Sequence, residues 1–272
     1  MHMQIKANVG AGVKRSSRYC RCSDKMSANN EDNETAEFPM MSMEELGSKV
    51  HVCDHPVLRH KLTQLRRRET SSKHFREIMG ELTMYLGYEA TKGLETKSLV
   101  VDTPMAKHTG CELSSKVGLI PIMRSGLGMA SAMLDIIPNA QVHHLGMYRD
   151  KRSLLPTLYY NKLPKQMDLD LGIILEPLIA TSGTIIAVVE ILKAWGLKEI
   201  HLISLVGSQH GLSTLLQTYP DVHIHIAAID DKLSDQGQII PGLGDVGDRL
   251  FATRRIDEGD SNDPDSKRQK VD

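Results

Sequence analysis

The chain has 272 residues, enough for one sizeable α/β domain or two small ones, with 40% hydrophobic and 25% charged residues, as expected for a folded soluble protein. Its 33 Lys and Arg nearly balance 34 Asp and Glu, and it carries one Trp and three Phe, which argues against nucleic-acid partners held by a global field or by aromatic stacking. No apolar run approaches the roughly 18 residues of a membrane span.

The first 47 residues lack sustained periodicity. Lys6, Lys14, Arg15, Arg18, Arg21 and Lys25 give way to Glu31, Asp32, Glu34 and Glu37. Such a segment buries too little apolar surface to offset its ordering entropy, so residues 1–47 are expected to be a disordered extension, with an organelle transit peptide as the alternative. Cys20 and Cys22 read as free thiols there, with a metal pair as the alternative. Four cysteines in a chain of this size are too sparse for a disulfide framework and point to the cytoplasm.

A domain is expected over 48–254. Phe75, Ile78, Met79, Leu82 and Leu86 stand at helical spacing. The apolar run Val117 to Ile122 predicts a strand, Met129 to Ile137 a helix stopped by Pro138, and Val142 to Met147 a second strand. Ile173 to Leu175 predicts a buried strand, Ile185 to Trp195 a helix closed by Gly196, and Ile200 to Val206 and Val222 to Ile229 two more strands. Strands alternating with crossover helices imply an α/β fold with an open parallel sheet covered on both faces. After Thr253 an acidic tail, 255–272, is expected to be disordered, and its closing Lys267-Arg268-Gln269-Lys270 is too short to be a nuclear signal.

Ligands of such sheets bind beyond the carboxyl ends of the strands, and three segments there carry chemistry. Glu176-Pro177-Leu178-Ile179-Ala180-Thr181-Ser182-Gly183-Thr184 joins a strand to a helix, where exposed amides and the helix dipole suit a phosphate. The ending of a Walker loop is absent. A carboxylate at the strand end followed by small polar residues suits a ribose phosphate, and the plainer alternative is a capped turn. Pro121-Ile122-Met123-Arg124-Ser125-Gly126-Leu127-Gly128 offers glycines for close backbone approach and an arginine fork. Arg149 would add a second fork at the neighbouring strand end, so the two read as a pyrophosphate site. Gln238 to Arg249 holds Gly242, Gly244, Gly247 and Pro241, which specify a backbone path able to read a small planar base, with Asp245 as a candidate for Mg²⁺ or a substrate hydroxyl. His223 with His225, and adjacent His143-His144, are expected to be hydrogen-bonded strand residues rather than metal ligands. Arg66-Arg67-Arg68 reads as a solvated helix face, with a subunit contact or effector site as the alternative.

In this order the three segments resemble uracil phosphoribosyltransferases. The resemblance runs from His51 to Thr253 and includes His55-Pro56-Val57-Leu58-Arg59-His60, Tyr88-Glu89-Ala90-Thr91 and Gly146-Met147-Tyr148-Arg149, and its most specific part is Ile240-Pro241-Gly242-Leu243-Gly244-Asp245. It implies a type I phosphoribosyltransferase-like sheet with a small hood over the base site, and synthesis of UMP from uracil and phosphoribosyl pyrophosphate. It further implies Mg²⁺ as cofactor, GTP as a candidate effector, and a homodimer or homotetramer. By the same resemblance Arg124 and Arg149 contact pyrophosphate, Glu176 to Thr184 holds ribose and 5′-phosphate, and Ile239, Gly244, Asp245 and Val246 form the uracil pocket, with Asp245 also near the donor. Three residues depart from the family's habit: Glu176 for Asp, Ser182 for Gly and Gln238 for Tyr. They support a rival expectation, a weakened homologue that binds a uracil nucleotide as a sensor.

Overall fold

A computed structural model describes residues 41–47, 49–149 and 156–253, with Arg149 described in its backbone only. In chain order it contains α1 (Met43–Leu46), β1 (Val50–Val52), α2 (Pro56–Arg66), α3 (Ser72–Thr91), β2 (Thr96–Asp102), β3 (Lys107–Leu113), β4 (Val117–Met123) and α4 (Leu127–Ile136). There follow β5 (Gln141–Val142), β6 (Leu145–Arg149), β7 (Pro156–Asn161), β8 (Leu171–Leu175), β9 (Leu178–Ile179) and α5 (Gly183–Trp195). The last elements are β10 (Glu199–Ser208), α6 (Gln209–Thr218), β11 (His223–Asp230), β12 (Lys232–Leu233), β13 (Ile239–Ile240) and α7 (Val246–Phe251).

The main sheet runs β1-β11-β10-β8-β4-β6-β7. Every pairing along it is parallel except β6 with β7, so the expected parallel sheet is in fact mixed at one edge. Its central strands are apolar on both faces because helices cover both. Leu119, Ile173 and Ile203 face α2, α3 and α4, while the next residues along, Ile120, Ile174 and Leu202, face α5 and α6. The period-two alternation thus feeds two separate cores from one set of strands.

Some boundaries differ from the sequence expectation. The run Val142 to Met147 is two strands, because Gln141–Val142 pairs with Gly118–Leu119 and the chain then steps past His143-His144 before Leu145–Gly146 pairs with Ile122–Met123. The fold also begins before residue 48: Leu46 is buried, and the Met41 main chain donates to the Ser213 hydroxyl and accepts from the Gln209 side chain, both on α6. The rest of the expected extension, residues 1–40 with Cys20 and Cys22, and the tail from 254 onward lie outside the described residues. Strands β2 and β3 form a separate antiparallel hairpin whose residues are exposed almost throughout, and the sequence pattern did not announce it.

Candidate functional site

Strand β8 is buried along its whole length and delivers Glu176 and Pro177 to its carboxyl end. The Pro177 carbonyl accepts from the amides of Leu205 and Val206, and β9 continues the pairing with β10, so Pro177 and Ile179 are anchored in the sheet. The chain then turns through Ala180, Thr181 and Ser182 into α5. Ser182 stands at the helix N-cap position, where serine normally accepts a hydrogen bond from the first turn. Here it does not. Its backbone is left-handed (φ 63°, ψ −4°), and its buried hydroxyl donates instead to the Gly211 carbonyl at 2.6 Å. The left-handed penalty for a residue with a Cβ is roughly 1–2 kcal/mol and a hydrogen bond returns about 0.5–1.5, so the two nearly offset. With no side chain capping α5, the first-turn amides of Gly183, Thr184 and Ile185 are left to whatever enters the cleft.

The second segment is packed onto the first. After β4 the Met123–Arg124 peptide is cis, and the amide of Gly126 donates back to the Ile122 carbonyl at 2.9 Å. A Cβ on Gly126 would lie 2.1 Å from the Leu175 carbonyl oxygen, so only glycine lets this turn sit on the end of β8. That contact brings the Ser125 hydroxyl to the Glu176 carboxyl, donating at 2.8 Å to Oε1 and lying 3.1 Å from Oε2. Burial pushes the Glu176 carboxyl up to about 8, against the opposing pull of the Ser125 hydroxyl and the Leu178 amide.

A cleft of about 290 Å³ results, lined by Ile122, Ser125, Met147, Tyr148, Glu176, Leu178 and the loop from Ala180 to Thr184. It gathers most of the phosphate segment expected from the sequence and adds Ser125, Met147 and Tyr148, which sequence reasoning gave no role in the site. Met147 and Tyr148 immediately precede Arg149 on β6, which offered the one available signal.

Arg124 turns the other way. Its half-exposed guanidinium donates to Asp248 Oδ1 and Thr253 Oγ1, both at 3.1 Å, beside the closing segment. Arg149 ends β6, the strand paired with β4, so the two arginines do stand at adjacent strand ends. The Arg149 side chain lies outside the described residues.

The closing segment is held by arginines that the sequence did not connect to it. Arg66 grips Asp230 with two bonds of 2.8 Å and also donates to the Gly242 carbonyl at 2.9 Å, while the Gly242 amide donates to Asp230 at 2.9 Å. The expectation that Arg66 belongs to a solvated face is therefore corrected; Arg67 and Arg68 are exposed. Arg66 flanks the buried stripe Leu58, Leu62 and Leu65, and Asp230 pairs with it from 164 positions away. Arg249 lies over the Phe75 ring at 4.2 Å and donates to the carbonyls of Leu243 and Arg67. The Ile240–Pro241 peptide is cis, and Gly242 and Gly244 adopt φ of 56° and 70°, which the glycines supply. Gln238 is exposed, and its main chain is closed onto Ser234 by three hydrogen bonds, two with the Ser234 backbone and hydroxyl and one through Gly237. Ile239 and Val246 bury their side chains in the core, so they present main chain rather than side chain to a ligand. Gly244 and Asp245 are exposed, and Asp245 caps α7 by accepting the Asp248 amide at 2.9 Å.

His223 is hydrogen-bonded as expected, accepting from Lys49 at 3.0 Å, whereas His225 is not. His51, His201, His223 and His225 stack with ring centroids 4.8–5.9 Å apart near the amino ends of β10 and β11. Among the described residues, neither ring nitrogen of buried His225, nor Nε2 of His143, has a hydrogen-bond partner.

Residues 52–253 match the family model for uracil phosphoribosyltransferase. Uracil phosphoribosyltransferases of Roseiflexus sp. (strain RS-1) and of Dictyoglomus thermophilum are 50% and 47% identical to this chain, over 76% and 75% of it and 99% and 100% of their own lengths. The solved AQ2163 protein from Aquifex aeolicus is 33% identical, with a TM-score of 0.70 over 75% of this chain and 98% of its own. By the family match and by these identities, the chain belongs to the uracil phosphoribosyltransferase family.

Proposed function

We propose that this protein is a cytoplasmic enzyme of pyrimidine salvage that joins uracil to phosphoribosyl pyrophosphate, giving UMP and pyrophosphate. The observation that carries the proposal is one cleft with an uncapped helix terminus at one side and the Glu176 carboxyl at the other. The α5 amides suit the 5′-phosphate and Glu176 suits the ribose hydroxyls. A uracil ring nitrogen attacks the anomeric carbon and gives its proton to solvent, while the bond to pyrophosphate breaks and its electron pair leaves with that group. Positive charge develops on the sugar, so catalysis rests on positioning and on charge neutralisation by Arg149, joined by Arg124 once it exchanges Asp248 and Thr253 for the pyrophosphate. The free thiols of Cys53 and Cys111 support the cytoplasmic location.

Mg²⁺ fits the donor set. Glu176 and Asp245 supply hard carboxylate oxygens, the donors a cation takes when substrate oxygens complete its shell. Glu176 and Asp245 are the carboxylates we assign to it, and when bound it would help neutralise the leaving group.

The exposed β2–β3 hairpin, with Leu99, Val100 and Met105 open to solvent, supports a homodimer or homotetramer, because an isolated two-stranded hairpin is marginal in water and a second copy would cover it. GTP activation belongs to the same proposal, with exposed Arg67 and Arg68 as the candidate effector contacts. A steady-state assay with uracil, cytosine and hypoxanthine, with and without Mg²⁺ and GTP, tests it. UMP formation from uracil alone among the bases is expected, and a purified protein making no UMP would overturn the proposal.

A further inference from the structure

We propose that Ser182 is a positioning residue for the phosphoribosyl donor, a hydroxyl tether that aims the phosphate loop where the resembling family usually has a glycine. The inference rests on the assignment of the Ala180–Thr184 loop to the donor phosphate. A serine at a helix N-cap has two uses for its hydroxyl. Turned back, it would satisfy a first-turn amide and compete with a phosphate for it. Turned away, it leaves the amides free, and this is the arrangement found, with the hydroxyl on the Gly211 carbonyl.

The tether does not stand alone. The Ser208 hydroxyl donates to the Ala180 carbonyl at 2.5 Å and accepts the Gly211 amide at 2.9 Å, so one side chain caps α6 and grips the loop together. A Cβ on Gly211 would fall 2.2 Å from the Ala180 oxygen, so the loop backbone lies directly on the first turn of α6. Ser182, Ser208 and Gly211 are all buried. The position of the α5 amides is therefore set by the β10–α6 junction, through contacts of which a glycine at 182 would lose the hydroxyl bond to Gly211.

The test is steady-state kinetics and thermal melting of the full chain for Ser182→Ala, Ser182→Gly and Thr184→Ala. Ser182→Ala keeps the left-handed cost and loses the tether, so its KM for phosphoribosyl pyrophosphate should rise roughly tenfold, the factor that one such hydrogen bond represents. Its kcat and its KM for uracil should stay within about twofold of the parent. Ser182→Gly loses the tether and the backbone cost together, so its donor KM should rise by about two- to threefold only. The order serine, glycine, alanine in donor KM is the signature, and Ser182→Gly still tests it should Ser182→Ala fold poorly. An unchanged donor KM in Ser182→Ala, with Thr184→Ala raising it, would sink the tether and spare the loop assignment. If Thr184→Ala also leaves donor KM unchanged, the loop assignment itself fails. A parallel fall of kcat, both KM values and Tm would make Ser182 merely structural and overturn the inference.

Discussion

The two ends of the central sheet bury titratable groups of opposite kind. At the carboxyl ends of β4 and β8 the Glu176 carboxyl is given a partner in Ser125 and opens onto a cleft. At the amino ends of β10 and β11, His225 is buried among three other imidazoles with neither ring nitrogen paired. Both are pushed toward neutrality by burial, the carboxyl up to about 8 and the imidazole down to about 3. For His225 the charges of His201, His51 and His223 act in the same direction. The difference lies in what surrounds them. The carboxyl opens onto a cleft beside the Ser125 hydroxyl and the α5 amides, whereas the imidazole packs against other rings. One end opens onto a cleft, and the other is closed by its own rings.

Substitutions at the two ends should therefore separate activity from stability. The largest effect belongs to Arg149→Ala, which should lower turnover by about 10²–10³ while leaving Tm nearly unchanged, as expected for one preorganised charge on a leaving group. Near-native turnover in the purified variant would break the assignment. Asp245→Asn comes next. It should reduce kcat/KM on the order of tenfold yet preserve Tm, because asparagine keeps the α7 cap as well as aspartate does. A melting temperature that collapses with activity would make Asp245 structural.

The pH dependence sharpens the contrast. Glu176 in the folded chain holds its proton up to about 8, against an ordinary 4.5, so the unfolded chain releases protons first and stability falls as pH rises through that window. His225 behaves in the opposite sense. The unfolded imidazole takes a proton below 6.5 while the folded one refuses it down to about 3, so stability falls as pH drops across that range. Between 4.5 and 6.5 the two slopes oppose, and the lowered imidazoles of His143, His201 and His223 add to that of His225, so thermal melts of the unliganded protein should fall as pH drops there. Glu176→Gln should flatten the alkaline limb, and His225→Leu should make the acid limb shallower, leaving the share of His143, His201 and His223. A melt series in which neither variant changes its own limb would refute the contrast. The smallest effect is His225→Leu at neutral pH, which removes two orphan nitrogens and should stabilise by about 1 kcal/mol with UMP synthesis unaltered. Loss of activity in that variant would tie the histidine end to the site after all.

What could be read without coordinates follows a simple division. Buried repeats announced themselves: the stripe on α3, the apolar runs of β4 and β8 and the Gly196 stop of α5 all stand in the structure as expected. The β2–β3 hairpin did not, since strands exposed on both faces carry no alternation to detect. Val142 to Met147 misled because an apolar run is silent about which partner residues it meets, and here the pairing shifts within it. In the site, the glycines and the phosphate loop were legible from backbone demands. The bonds Arg66–Asp230, Ser125–Glu176 and Ser182–Gly211 were not, because each joins residues 29 or more positions apart that no local pattern relates.

The exposed hairpin carries a reporter of its own. Cys111 sits on β3, open to solvent, whereas Cys53 is buried and its thiol is pushed up to about 11 by burial and the nearby Glu89 charge. At neutral pH a thiol-reactive dye would distinguish the two, because attack requires an accessible thiolate. With Cys20 and Cys22 changed to serine, the rate at which Cys111 is labelled, followed across protein concentration, therefore reads directly whether the hairpin is bare or covered.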